Sequence, residues 1–163
     1  MPWTETDRPV LVLGYGNVLR GDDGAGPAAA EALRKRLPAH TAEVLVAHQL
    51  LPEMSQRLSR CQLAIFIDAD WNLPAGQVRR KDIAADCDGG RSIGHQQSPQ
   101  QLLCMALALY GHAPQAVLFH IGAARFGFEQ GLSQQVKQAI PLLVQQVVDT
   151  VQQAADNLEH HHA

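Results

Sequence analysis

The segment Val10-Leu11-Val12-Leu13-Gly14-Tyr15-Gly16, near the amino terminus, gives the clearest indication of the architecture. Four consecutive aliphatic residues that end at a glycine predict a strand buried on both faces. Such strands are typical of parallel sheets that are covered by helices on both sides. The segment therefore favours an α/β fold.

Further apolar runs follow along the chain and alternate with segments of helical periodicity. More strands are predicted at Glu43–His48, Leu63–Ile67, Gly76–Ile83 (an edge strand) and Ala116–Ile121. Helices are predicted at Gly24–Leu37, Leu51–Arg60 and Pro99–Tyr110, the last with Ser98 as N-cap, and a final helix begins at Ser133. Pro141 should kink that last helix or mark its late start. This alternation predicts a three-layer α/β/α domain with a mostly parallel central sheet of about five strands.

Length and composition bound the class of protein. With 163 residues, 46% of them hydrophobic, residues 1–157 suffice for one domain, and residues 158–163 resemble the remnant of an expression tag. The net charge of -3 argues against a nucleic-acid partner. No apolar run approaches the ~20 residues of a membrane span. Three cysteines without a CxxC pair argue against a disulfide framework, so we expect a cytoplasmic protein.

Acidic residues follow two of the predicted strands. Asp22 and Asp23 stand after the first strand, where a helix begins, and Asp68 directly follows Leu63–Ile67. Because ligands bind at the carboxyl ends of parallel strands, these side chains should lie at one edge of the sheet. Asp22 or Asp23 could instead cap the helix, which is the usual role of an aspartate at a helix start. Asp68 alone could be an ordinary polar strand end.

A histidine completes the candidate set. His95 precedes the helix at Pro99, and a helix N-terminus favours the neutral imidazole that binds metals. His120 is a rival, although its apolar neighbours favour a buried core role. Two carboxylates and one imidazole form a mixed oxygen and nitrogen site for a borderline divalent ion such as nickel or zinc.

A nucleotide-binding fold is the main competing interpretation of Gly14-x-Gly16. The third glycine of a GxGxxG motif would fall at Leu19, whose side chain would crowd the packing of helix on strand. Carboxylates at the following helix start would also repel a pyrophosphate. The dinucleotide interpretation is therefore weak.

In order along the chain, the motifs resemble those of the hydrogenase maturation endopeptidases of nickel–iron hydrogenases. The opening motif is Gly14-x-Gly16-Asn17-x-Leu19 followed by the acidic pair, and the strand end Asp68-Ala69 also matches. Further matches are the pattern H-x-x-x-P-x-x-L-L, which runs from His95 to Leu103, and the segment from Phe126 to Ser133.

The resemblance implies a metal-dependent endopeptidase that removes a C-terminal extension from the hydrogenase large-subunit precursor after nickel insertion. Carried over by position, Asp23, Asp68 and His95 are the metal ligands and catalytic residues, with Asp22 in a supporting or capping role. The nickel would arrive with the substrate, and cadmium or zinc would substitute in vitro. We expect a cytoplasmic monomer without nucleic-acid or membrane partners. A chaperone that binds the precursor without cutting it remains the alternative.

Overall fold

The computed structural model describes residues 9–88, 96–128 and 131–161. Within these ranges it contains five strands and four α-helices, which alternate along most of the described sequence. The strands are β1 (Val10–Tyr15), β2 (Ala42–Ala47), β3 (Leu63–Asp70), β4 (Val78–Ile83) and β5 (Gln115–Gly122). The helices are α1 (Ala25–Arg36), α2 (Met54–Leu58), α3 (Pro99–Tyr110) and α4 (Gln134–His161), and a 3-10 turn (Gly21–Gly24) leads into α1.

The five strands form one sheet in the order β2-β1-β3-β5-β4. All neighbours pair in parallel except β4, which runs antiparallel to β5 at the edge. The predicted fold class, a mostly parallel sheet of about five strands between helical layers, is confirmed. None of the helices in the described ranges is long and apolar enough to cross a membrane.

Side-chain alternation along the central strands feeds two separate cores. Odd positions of β3, such as Ile65 and Ile67, pack with α1 and α4, whereas even positions such as Phe66 pack with α2 and α3. Because the strands are buried on both faces, their sequences are continuously apolar rather than alternating. Parity along a strand therefore tells which helical layer a side chain faces.

Two glycines let α1 approach β1 closely. A Cβ atom on Gly26 would lie 2.5 Å from the carbonyl oxygens of Ile67 and Tyr15, and one on Gly14 would overlap the Gly26 backbone and Ala30. Only glycine permits backbones to come this near. The contact fixes the start of α1, and with it the preceding 3-10 turn, against the carboxyl ends of β1 and β3.

Several predicted boundaries differ from the structure. β3 continues to Asp70, beyond the predicted end at Ile67, because its register with β5 continues through Asp70↔Gly122. The second helix is limited to Met54–Leu58. α4 runs through Pro141 without interruption and reaches His161, so Pro141 does not mark a late start. α3 matches its prediction, and Ser98 forms a capping box with Gln101.

The expectation that the cysteines would not pair is wrong. Cys87 and Cys104 form a disulfide, with Cα atoms 5.3 Å apart, while Cys61 is free and buried. The chain leaving β4 turns back along α3, where the Asp86 amide donates to the Gln100 carbonyl (3.1 Å). Sequence spacing could not show this proximity, because it arises from the return of the chain onto α3.

Candidate metal and catalytic site

The carboxyl ends of β1, β3 and β5 place four polar side chains on the same face of the sheet. Tyr15 continues the parity of Leu13 on β1, and Asp68 and Asp70 continue that of Phe66 on β3. His120 pairs with Asp68 in the parallel register. All four therefore stand on the α3 side, above the point where the apolar core ends.

The 3-10 turn brings Asp23 to this edge. Its Oδ2 accepts a hydrogen bond from the Asn17 amide at 2.7 Å. Gly16 has φ +146°, and a Cβ atom there would overlap the Asp23 carbonyl oxygen. The glycine therefore allows the loop after β1 to fold tightly over the turn that carries Asp23.

Asp23 and Asp68 lie close enough to interact electrostatically. The pKa of Asp68 is raised to about 7, first by burial and then by the negative charge of Asp23, with a smaller contribution from Asp70. Hydrogen bonds from the Ala69 amide (2.8 Å) and the Tyr15 hydroxyl act in the opposite direction. A carboxyl group whose ionisation is opposed by a neighbouring carboxylate suits a divalent cation, which would relieve the repulsion.

Tyr15 supports this pair. Burial and the charges of Asp68 and Asp23 raise its pKa well above the ordinary value. The hydroxyl therefore remains protonated at neutral pH and donates to Asp68. Sequence reasoning missed Tyr15 because it occupied the variable position of Gly14-x-Gly16, although its parity with Leu11 and Leu13 could have revealed the face it occupies.

The third predicted ligand, His95, lies outside the described residues. Within residues 9–88, 96–128 and 131–161 no group of three or more His, Cys, Asp or Glu side chains could hold a metal ion. The assignment of Asp23, Asp68 and His95 as ligands therefore stays a prediction.

Asp22 has a structural role that differs from helix capping. Its carboxylate is fully buried and accepts three backbone hydrogen bonds, from Ala124 (2.8 Å), Arg125 (3.1 Å) and Ser133 (2.6 Å). Although burial opposes ionisation, these donors together lower its pKa. No side chain caps the 3-10 turn or α1. Asp22 instead ties the segment after β5 and the start of α4 to the site.

His120, the rival histidine, is partly exposed rather than buried in the core. Its Nδ1 lies 3.6 Å from Asp70 Oδ2. Burial, with the nearby charges of Lys81 and Arg79, lowers its pKa, and Asp70 only partly compensates. His120 is therefore neutral at pH 7, beside the carboxylate pair.

Comparison with known proteins identifies the class to which this fold corresponds. Two solved hydrogenase maturation proteases share it, each with a TM-score of 0.72. The endopeptidase HybD from E. coli is 23% identical, covering 89% of this chain and 93% of its own. The protease HycI from Thermococcus kodakarensis is 18% identical, covering 90% and 94%.

Sequence similarity leads to the same group. The hydrogenase expression/formation protein HupD of Thiocapsa roseopersicina is 26% identical over 157 residues, which cover 91% of this chain and 70% of HupD. No protein-family model matches the chain. The resemblance to hydrogenase maturation endopeptidases that the motifs indicated is confirmed by these similarities.

Proposed function

We propose that this chain is an endopeptidase of hydrogenase maturation, which removes the C-terminal extension of a nickel–iron hydrogenase large-subunit precursor after nickel insertion. The observation that carries the proposal is the juxtaposition of Asp23 and Asp68 at the carboxyl edge of a sheet whose fold matches maturation proteases. The similarity to HupD over most of the chain supports the same partner.

In this proposal the nickel ion belongs to the substrate. Asp23, Asp68 and His95 would complete its coordination, and the ion would supply Lewis acidity near the scissile bond. Three ligands, two of them carboxylates, hold nickel weakly until the thiolates of the precursor contribute. Cleavage would then occur only on a precursor that has received its metal.

The residues of the chain itself prepare the site for a cation. Asp23 is oriented by the Asn17 amide, and Asp68 by the Ala69 amide and the Tyr15 hydroxyl. These donors hold the carboxylates in place before any ligand arrives, which reduces the cost of organising the site. Without a cation, burial and the charge of Asp23 oppose ionisation of Asp68, and a bound cation would favour it.

The test compares nickel-loaded with nickel-free precursor, using intact-mass spectrometry to detect a shortened product. The proposal expects cleavage of the nickel-loaded precursor alone, and loss of cleavage in Asp23→Asn and Asp68→Asn. Asp82→Asn, whose side chain is 80% exposed on β4, is the matched control and should cleave normally.

Two results would count against the proposal. A stable complex with an unshortened precursor would indicate a chaperone instead of a protease. Equal cleavage of the nickel-loaded and nickel-free precursors would show that cleavage does not depend on nickel insertion. Metal titrations with cadmium or zinc should use a chain that ends at Asn157, because the terminal histidines bind metals themselves.

A further inference from the structure

Exposed apolar side chains lie around the same edge of the sheet. They come from the loop after β1, the loop after β3 and the segment after β5: Val18, Leu19, Trp71 and Phe128. Together with the half-buried Phe126, which contacts Trp71, we call them the apolar rim. Trp71 is 64% and Phe128 91% exposed. Large aromatic groups exposed together in this way are typical of surfaces that bind a partner.

The three segments of the rim contact one another. The rings of Trp71 and Phe126 meet edge to face with centroids 4.2 Å apart. The Arg20 guanidinium lies 6.0 Å from the centre of the Phe128 ring. The rim is therefore one connected surface rather than a set of scattered side chains.

Both aromatic segments are fastened to residues adjacent to the candidate ligands. Asp70, two positions after Asp68, accepts from the Asn72 amide (2.9 Å) through its side chain and from the Ala123 amide (3.0 Å) through its carbonyl. Asp22, next to Asp23, holds the amides of Ala124 and Arg125. The rim segments are thus held by residues that adjoin Asp23 and Asp68 in the sequence.

The rim also borders an apolar groove. The groove has a volume of about 340 Å³ and is lined by Val18, Pro27, Ala28, Val46 and Leu132 among others. It is large enough for one or two apolar side chains. Val18 lines the groove and also belongs to the rim, so the two surfaces share this residue.

We infer that the apolar rim is the docking surface for an apolar segment of the precursor polypeptide next to the scissile bond. The inference rests on the proposed function, since it requires a polypeptide substrate at the carboxylate pair. Anchoring by Asp22 and Asp70 holds the rim in shape before binding, so that little conformational entropy is lost on docking. Aromatic side chains in such positions contribute most of the affinity of an interface.

The experiment measures KM and kcat for cleavage of nickel-loaded precursor by Trp71→Ser and Phe128→Ser. We expect KM to rise about tenfold or more with kcat nearly unchanged, because neither residue belongs to the carboxylate pair. Leu109→Ser, 64% exposed on α3, is the matched control and should leave KM unchanged. Trp71→Ser also removes the contact with Phe126 and could disturb the loop that carries Trp71. Phe128→Ser leaves that contact intact and therefore tests the docking surface independently.

Binding of the precursor to Asp68→Asn, with and without each rim substitution, separates this inference from the proposed function. If the wild type does not cleave but rim substitutions weaken binding, the protease proposal fails and the docking surface stands. If the wild type cleaves and the rim variants have unchanged KM, the docking surface is refuted. Light scattering that shows a dimer dissociated by Trp71→Ser would also overturn it, because the rim would then bind a second copy.

Discussion

Replacement of Asp22 by asparagine should reveal how strongly the site is tied to the rest of the fold. In the native carboxylate, Oδ2 accepts from Ala124 and Arg125 and Oδ1 accepts from Ser133. Asparagine has a single acceptor oxygen, so one side of this arrangement must face an NH2 group. At least one of the three backbone N–H groups then loses its acceptor at this buried side chain.

The magnitude follows from the burial of the group. A hydrogen bond to a charged group contributes about 1.5–3 kcal/mol, and a buried donor left without an acceptor adds its own desolvation cost. We therefore expect Asp22→Asn to lower the free energy of unfolding by about 3 kcal/mol. Asp86→Asn is the control, since Asp86 also accepts a backbone N–H (from Asp88, 3.1 Å) but is exposed. It should change stability by less than about 0.5 kcal/mol.

Urea unfolding at several pH values tests both the size and the origin of this effect. Because the pKa of Asp22 is lowered from 3.8, its contribution is fully present above about pH 4 and is lost as pH falls through the lowered value. The difference between wild type and Asp22→Asn should be constant near neutrality and narrow in acid. Equal stability of Asp22→Asn and Asp86→Asn at pH 7 would refute the reasoning.

Three further predictions concern the scaffold, each measured by urea unfolding. Gly26→Ala should lower the free energy of unfolding by about 3 kcal/mol, because its Cβ would press on backbone atoms that cannot move. The control Gly127→Ala, with open space around it, should have little effect. Similar losses of stability in both variants would contradict the close contact at Gly26. Cys87 and Cys104 are 17 positions apart, and reduction of their disulfide should lower the free energy of unfolding by about 3 kcal/mol. Unchanged stability with reductant would show that the bond does not form. Ser98→Ala should cost about 1 kcal/mol by removing the N-cap of α3, and a neutral result would exclude that role.

Local sequence was sufficient for most elements of the fold. The aliphatic run at Val10–Leu13 and the capping signal at Ser98 each predicted an element that the structure contains. β3 was predicted too short because Asp68-Ala69-Asp70 does not have a strand-like composition. Its pairing with β5 extends the strand despite that composition, and such pairing depends on residues far away in the chain.

The candidate site was predictable only where a topological rule applied. The rule that ligands bind at the carboxyl ends of parallel strands indicated Asp22, Asp23 and Asp68, and the choice of Asp23 over Asp22 came from the family resemblance. In the structure Asp23 and Asp68 interact electrostatically. The role of Asp22 was not predictable, because the backbone amides that donate to its carboxylate lie 102 to 111 positions later in the chain. A carboxylate that holds distant backbone amides has the same local signature as one that caps a helix.

The glycines of the opening motif explain how this chain packs its first helix closely without the third glycine of a dinucleotide-binding motif. In nucleotide-binding folds the third glycine allows the helix to pack closely on the strand. In this chain Gly26, within α1, provides that close packing against Gly14, and Leu19 is free to lie on the exposed loop. The 3-10 turn that precedes α1 carries the two carboxylates of Asp22 and Asp23. Asp22 accepts hydrogen bonds from distant backbone amides, and Asp23 interacts electrostatically with Asp68, where negative charge would repel a pyrophosphate.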